Sequence, residues 1–164
     1  MEKKYILDKE TTLLKLKRLA YEITERNYTE QQLFFAGIRE SGYTVARLLA
    51  KEVMEISNIH VELVEIMMDK RYPVEVMLDR EIGFNNQSIV IIDDVANSGR
   101  TMLYALKPLL QHKPRQIQTL ALVERTHKKF PIAVDYVGLS ISTTLQENIV
   151  VEVKEGEVVG AFMS

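Results

Sequence analysis

The sequence predicts an α/β domain built on a mostly parallel central sheet with helices on both faces. Two observations carry that prediction. Mostly apolar runs, Leu33 to Ile38, Ile89 to Ile92 and Ile117 to Glu124, have the length and β-branched content of strands buried on both faces. Between them lie stretches whose apolar residues recur at helical spacing. Strand and helix therefore alternate, and right-handed crossovers join parallel strands.

Taken in order, Leu13, Leu16, Leu19, Ala20 and Ile23 mark an amphipathic helix over Thr11 to Ile23, with Lys and Arg between them. "LFFAGI" is a strand that stops at "RESG", and Val45, Leu48, Leu49 and Val53 mark a second helix. "HVELVEIMM" reads as a strand, and the alternation of Val74, Val76 and Leu78 reads as the second arm of a hairpin. "SIVIIDDVANSGRTMLYALKPLL" gives a strand ending at Ile92, a turn, and a helix to about Leu110. A strand over Ile117 to Glu124, the polar "RTHKKFP" and the short apolar "AVDYVGL" follow. The end of the sequence reads as two strands around a Glu155-Gly156 turn.

A length of 164 residues suits one domain, residues 1–164, and neither repeats nor a linker divide it. Hydrophobic residues make up 46% and charged residues 27%, an ordinary globular balance. The formal charge of -2 provides no global field for nucleic acid, so any RNA contact must rest on a local patch. The absence of cysteine excludes disulfides, thiolate zinc sites and cysteine nucleophiles. No apolar run reaches the roughly 18 residues of a membrane span, and none resembles a signal peptide. A cytoplasmic protein without a membrane partner is expected.

Ligands of such sheets sit beyond the carboxyl ends of the strands. Three loops qualify: "RESG", "DDVANSG" and "RTHKK". In the middle one, Asp93 and Asp94 should point to opposite sides and need not bind the same atom. Ala96, Asn97, Ser98 and Gly99 let backbone amides face outward, and Thr101 adds a hydroxyl at a helix start, where phosphate binds readily. Carboxylates accept hydrogen bonds from hydroxyls and help hold hydrated magnesium. A ligand with a phosphate at one end and a vicinal diol at the other, such as ribose 5-phosphate, satisfies both halves. The plainer alternative is that an acid after a strand merely caps the next helix; two acids and a Gly-Arg-Thr entry argue against it.

"IVIIDDVANSGRT" resembles the phosphoribosyl-pyrophosphate (PRPP) loop of type I phosphoribosyltransferases. With "ILDKETTLLKLKRLAYEITERN", "LFFAGIRESGYTVARLLAKEV" and "LALVERTHKKFPIAVDYVGLSIST", the order and spacing from about Tyr5 to Val153 are similar to the PyrR family. Its members are pyrimidine-operon attenuation proteins that also act as uracil phosphoribosyltransferases. The resemblance implies a type I phosphoribosyltransferase fold with a small hood, and magnesium held through PRPP. It also implies a nucleobase or nucleotide as partner, RNA as a further one, and a homo-oligomer. Asp93 and Asp94 would hold the ribose hydroxyls. Val95 and Ala96 lead into Asn97, Ser98, Gly99, Arg100 and Thr101, which would cradle the 5-phosphate.

Ile38, Arg39, Glu40, Ser41 and Gly42 fall where the family has its pyrophosphate loop. Arg39 is the one cation of that pentad, where the family usually offers a second basic residue. Arg125, Val137, Gly138 and Leu139 would form the base pocket. At position 97 purine enzymes of the hypoxanthine-guanine type usually carry Asp. Asn97 cannot act as a general base, which tilts the reading toward a pyrimidine.

The family's flexible loop opens with a Tyr-Arg element; here the segment is shorter, and Lys70, Arg71 and Tyr72 offer the chemistry in another order. A basic RNA face would use His127, Lys128 and Lys129, while Ala133 and Leu139 stand where relatives often have Arg and Lys, so phosphate contacts are fewer. His60 and His112 belong to no constellation. Besides the enzyme, two readings stay open at this level. One is a regulator that keeps the sugar-phosphate site without turnover; the other is a receiver-type domain whose acids bind magnesium alone.

Overall fold

The computed structural model describes residues 2–144 and 146–164. In chain order the elements are β1 (Lys4–Leu7), α1 (Lys9–Arg26), β2 (Gln32–Ile38), α2 (Ser41–Ile56), β3 (His60–Met68) and β4 (Val76–Leu78). After them come β5 (Ser88–Ala96), α3 (Arg100–Ala105), β6 (Gln116–Arg125), β7 (Tyr136–Ile141), β8 (Ile149–Lys154) and β9 (Glu157–Met163). Six strands form the main sheet in the order β4-β3-β2-β5-β6-β7, all parallel except the antiparallel edge strand β4.

The β-branched run of β5 explains its central place. Val90 and Ile92 enter the core formed with α1 and α2, and Ile89 and Ile91 enter the core on the opposite face with Phe34, Phe84 and Met102. A side chain of this kind buried completely is worth about 1.5–3 kcal/mol. Both faces are therefore held by the same four residues. A second sheet, antiparallel β1-β9-β8, forms a small hood beside α1 and α2. Glu155 and Gly156 adopt left-handed conformations, φ 51° and 75°, and make the expected two-residue turn between β8 and β9.

Several features differ from the sequence reading. Helix α1 begins at Lys9 because Asp8 caps it, its Oδ1 accepting from the Thr11 amide at 2.7 Å. Helix α3 stops at Ala105, short of Leu110. Pro108 lacks an amide and disfavours helix before it, so Leu106, Lys107 and Leu109 each donate three residues back in successive turns. Within the short apolar "AVDYVGL", residues 133–135 are a connection and β7 starts at Tyr136, since the Ala133 carbonyl and the Asp135 carboxylate are both bound by Thr119. Strand β1 has no local signal; it exists by pairing with β9 from the far end of the chain.

Candidate active site

Strand β5 does not end at Ile92. It runs on to Ala96 because β6 continues beside it, pairing Asp93 with Ala121, Val95 with Val123 and Ala96 with Glu124. The two acids therefore stand inside the ladder at the top of the sheet. Asp93 is buried, 1% exposed, and Gly42 at the start of α2 lies against it. A Cβ on Gly42 would come within 2.9 Å of the Ile92 carbonyl and 3.3 Å of Asp93 Oδ1. The lack of a side chain at position 42 is thus what lets the 38–42 loop reach the acidic pair. Each carboxylate also accepts the next backbone amide: Asp94 N donates to Asp93 Oδ1 at 2.9 Å, and Val95 N to Asp94 Oδ1 at 2.8 Å.

The acids need not bind the same atom, yet here one cation bridges them. Lys70 Nζ donates to Asp93 Oδ1 at 2.8 Å and to Asp94 Oδ1 at 3.3 Å. Alternation turns the two Cβ atoms apart, but the carboxylates fold back onto the backbone and present their Oδ1 atoms to one ammonium. Burial pushes the Asp93 carboxyl up, the charge of Asp94 pushes it further, and Lys70 pulls it back, with the balance at about 8. Burial works against the Lys70 charge, yet the two carboxylates outweigh it and raise the Lys70 pKa.

Beyond Ala96 the chain turns sharply. Gly99 sits at φ +90°, and a Cβ there would lie 2.6 Å from Ile132 Cγ2. The Ser98 carbonyl accepts the amides of Lys129 and Phe130 at 2.9 and 3.1 Å, which staples the loop after β6 onto the turn. Among the described residues, the Ser98 and Gly99 amides have no hydrogen-bond acceptor. These donors and the two acids share one cleft of about 310 Å³, lined by residues 93–102 with Lys70 and Ile149. The cleft brings together the whole predicted 93–101 segment and one of the three predicted loop residues, Lys70.

The other predicted residues are placed as follows. Arg39 stands outside the cleft lining, its Nε 3.7 Å from Glu40 and 3.9 Å from Glu65, and the Arg39–Glu40 peptide is cis. Arg71 and Tyr72 form a turn closed on Asp69, with Tyr72 exposed. Arg125 is turned to the segment after β7, donating to Thr143 Oγ1 at 2.7 Å and the Thr144 carbonyl at 2.8 Å. The Val137 and Gly138 carbonyls accept Arg18 Nη2 from α1 at 3.1 and 2.6 Å, and Leu139 packs against the α1–α2 core. None of these four lines the cleft. His127 Nε2 lies 3.1 Å from the Thr143 carbonyl. Lys128 is paired with Glu124 at 2.9 Å.

The sequence profile of the phosphoribosyl transferase domain matches residues 3–156. The chain belongs to the phosphoribosyltransferases, in their PyrR-like branch. It is 32% identical to the bifunctional protein pyrR of Enterococcus faecalis OG1RF, over 94% of this chain and 92% of that protein. It is 34% identical to the bifunctional protein PyrR of Streptococcus uberis, again over 94% and 92%. Among solved structures it is similar to a hypoxanthine phosphoribosyltransferase of Trypanosoma cruzi, with a TM-score of 0.79, 14% identity and coverage of 98% and 95%. A hypoxanthine-guanine phosphoribosyltransferase of Bacillus anthracis gives 0.78, 16%, and 100% and 99%. At that identity the likeness is one of fold.

Two features of this phosphoribosyltransferase escaped the sequence. Ile149 reaches the cleft only because β8 of the hood packs against β5, a contact across more than fifty residues. The Lys70 bridge depends on a turn of the β3–β4 hairpin folding over β5. Arg100 holds that turn, its Nη2 donating to the Lys70 carbonyl at 3.2 Å. No group of three His, Cys, Asp or Glu side chains converges among the described residues. Two carboxylates in this cleft are nonetheless a hard-oxygen donor set that suits magnesium when a ligand supplies further oxygens.

Proposed function

We propose that this phosphoribosyltransferase transfers the phosphoribosyl group of PRPP to a pyrimidine base, with uracil as the first candidate, and releases pyrophosphate. The observation that carries the reading is the adjacency, in one cleft, of the Asp93–Asp94 pair and the unpartnered Ser98 and Gly99 amides. The carboxylates accept the ribose 2- and 3-hydroxyls. The amides, with the Thr101 hydroxyl, receive the 5-phosphate. With both ends held, the sugar carbon is presented to the base in one orientation.

The ring nitrogen of uracil forms its bond to the sugar carbon as the bond to pyrophosphate breaks. The bonding pair leaves on the pyrophosphate oxygen, and the nitrogen's proton passes to solvent. Asp93 and Asp94 would help to hold magnesium together with PRPP, and the ion would supply positive charge to the leaving group. The sugar carries oxocarbenium character at the midpoint, so positioning and fixed charge do the catalytic work. Asn97, exposed at the cleft, offers a neutral amide beside the base and no general base. Membership of the PyrR-like branch is consistent with a pyrimidine.

The regulator reading rests on the short connection between Met68 and Val76, which leaves little chain to cover a bound sugar. RNA binding has less support: Lys128 is engaged by Glu124 and by the Asn97 and Arg125 carbonyls, and Lys129 is left as the exposed cation of that loop. Pyrophosphate release with uracil, hypoxanthine and guanine as acceptors tests the proposal. Uracil should give the highest kcat/KM. A purine preference would overturn the base assignment, and PRPP binding without release to any base would favour the regulator.

A further inference from the structure

Lys70 is the cation that most directly touches the acidic pair, and the loop expected to receive pyrophosphate is short of positive charge. Of residues 38–42 only Arg39 is basic, and its guanidinium is drawn to Glu40 and Glu65. Gly42 and Lys70 meet at one atom: a Cβ on Gly42 would lie 3.3 Å from Asp93 Oδ1, and Lys70 Nζ lies 2.8 Å from that same oxygen. The ammonium and the start of α2 thus approach the same carboxylate oxygen. Its side chain is 39% exposed, on a four-carbon stem free to turn, while Arg100 anchors its carbonyl at the cleft.

We propose that Lys70 is an exchanging counter-ion, parked on Asp93 and Asp94 in the empty site and handed to the pyrophosphate when a ribose diol takes the carboxylates. This rests on the assignment of the cleft to PRPP. The empty site needs a cation there because two adjacent carboxylates, one of them buried, repel each other. The diol removes that need only in part, since its hydroxyls donate hydrogen bonds but carry no charge. The ammonium keeps its attraction to the acids and gains a stronger one to a polyanion over Gly42. The lysine thus supplies the second cation that the 38–42 segment lacks, and it delivers that cation only when sugar is bound. It acts as a positioning residue for the leaving group and carries no covalent role.

The exchange predicts opposite effects on two ligands that differ only in the pyrophosphate. Lys70→Met keeps the length of the side chain and removes the charge. Ribose 5-phosphate must displace the parked ammonium and gains nothing from it afterwards, so its affinity should rise in the variant. PRPP in the presence of magnesium loses the ammonium's contact with pyrophosphate, so its affinity should fall. The ratio of the two dissociation constants should move by roughly tenfold or more, the worth of a charge-assisted hydrogen bond. Calorimetric titration of both ligands into wild type and variant reads this directly, with thermal melting confirming that the variant is folded.

Parallel loss of both affinities would make Lys70 a structural prop of the hairpin and overturn the exchange. A parallel gain would make it a simple blocker and overturn it equally. Failure of the wild type to bind either ligand would instead reject the PRPP assignment itself. A Lys70→Arg variant separates charge from shape: it should keep the wild-type order of the two ligands, and behaviour like that of Lys70→Met would contradict the proposal.

Discussion

Lys70 Nζ sits between the Oδ1 atoms of Asp93 and Asp94, at 2.8 and 3.3 Å, and this bridge couples the charge of the cleft to the stability of the sheet beneath it. The Asp93 carboxyl is raised by burial and by Asp94 from 3.8 to about 8. The folded protein therefore holds this proton more tightly than the unfolded chain does. Its contribution to stability is fully present below about pH 4 and is lost as pH rises toward about 8. The raised Lys70 pKa acts in another window, since its contribution persists until pH exceeds 10.5.

Asp93→Asn mimics the protonated acid. The variant should match wild type near pH 4 and melt higher near pH 8. Each kcal/mol corresponds to about 2–4 °C for a chain of this size. Melting curves at the two pH values check it, and a variant equally or less stable at pH 8 would show that the carboxylate is not a cost to the fold.

Gly42→Ala places a methyl within 2.9 Å of the Ile92 carbonyl and 3.1 Å of Asp93 Cα. Overpacking of this kind costs about 1–3 kcal/mol. Because the displaced backbone carries Asp93, the apparent affinity for PRPP should fall more than the melting temperature suggests. Binding and melting measured on one preparation separate the two effects.

Gly99→Ala forces a left-handed backbone on a residue with a side chain and drives its methyl against Ile132. A loss of about 1–3 kcal/mol is expected. Ribose 5-phosphate should bind more weakly, since the strained turn holds the Ser98 and Gly99 amides. An unchanged affinity for ribose 5-phosphate would move the phosphate away from this turn.

Arg18→Met removes the donor to the Val137 and Gly138 carbonyls. These bonds are partly exposed, so the cost should be about 1 kcal/mol. If the two carbonyls take no part in recognising the base, KM for the base stays within about twofold while melting falls by about 2–4 °C. A selective change in KM would restore them to the base pocket.

The helices and buried strands were legible because hydrophobic spacing is local: Leu16, Leu19 and Ile23 point inward whatever the rest of the chain does. The 93–101 segment was legible too, since acids, small residues and a Gly-Arg-Thr entry lie together in sequence. What could not be read depends on distant partners. The extension of β5 past Ile92 follows from β6, β1 follows from β9, and Ile149 enters the cleft through the packing of the hood. The chemistry of Lys70 was visible, but its position over the acids was not, because a hairpin turn has many ways to lie. Arg125 and Val137 to Leu139 were assigned to the base by family order, while Thr143, Thr144 and Arg18 engage all but Leu139.

Titration of PRPP into the wild type and into the Asp93→Asn, Asp94→Asn double variant, with and without magnesium, tests the central claim most directly. The account predicts magnesium-dependent binding by the wild type and its loss in a folded double variant. Equal affinity in the two proteins, or no binding by the wild type, would contradict it.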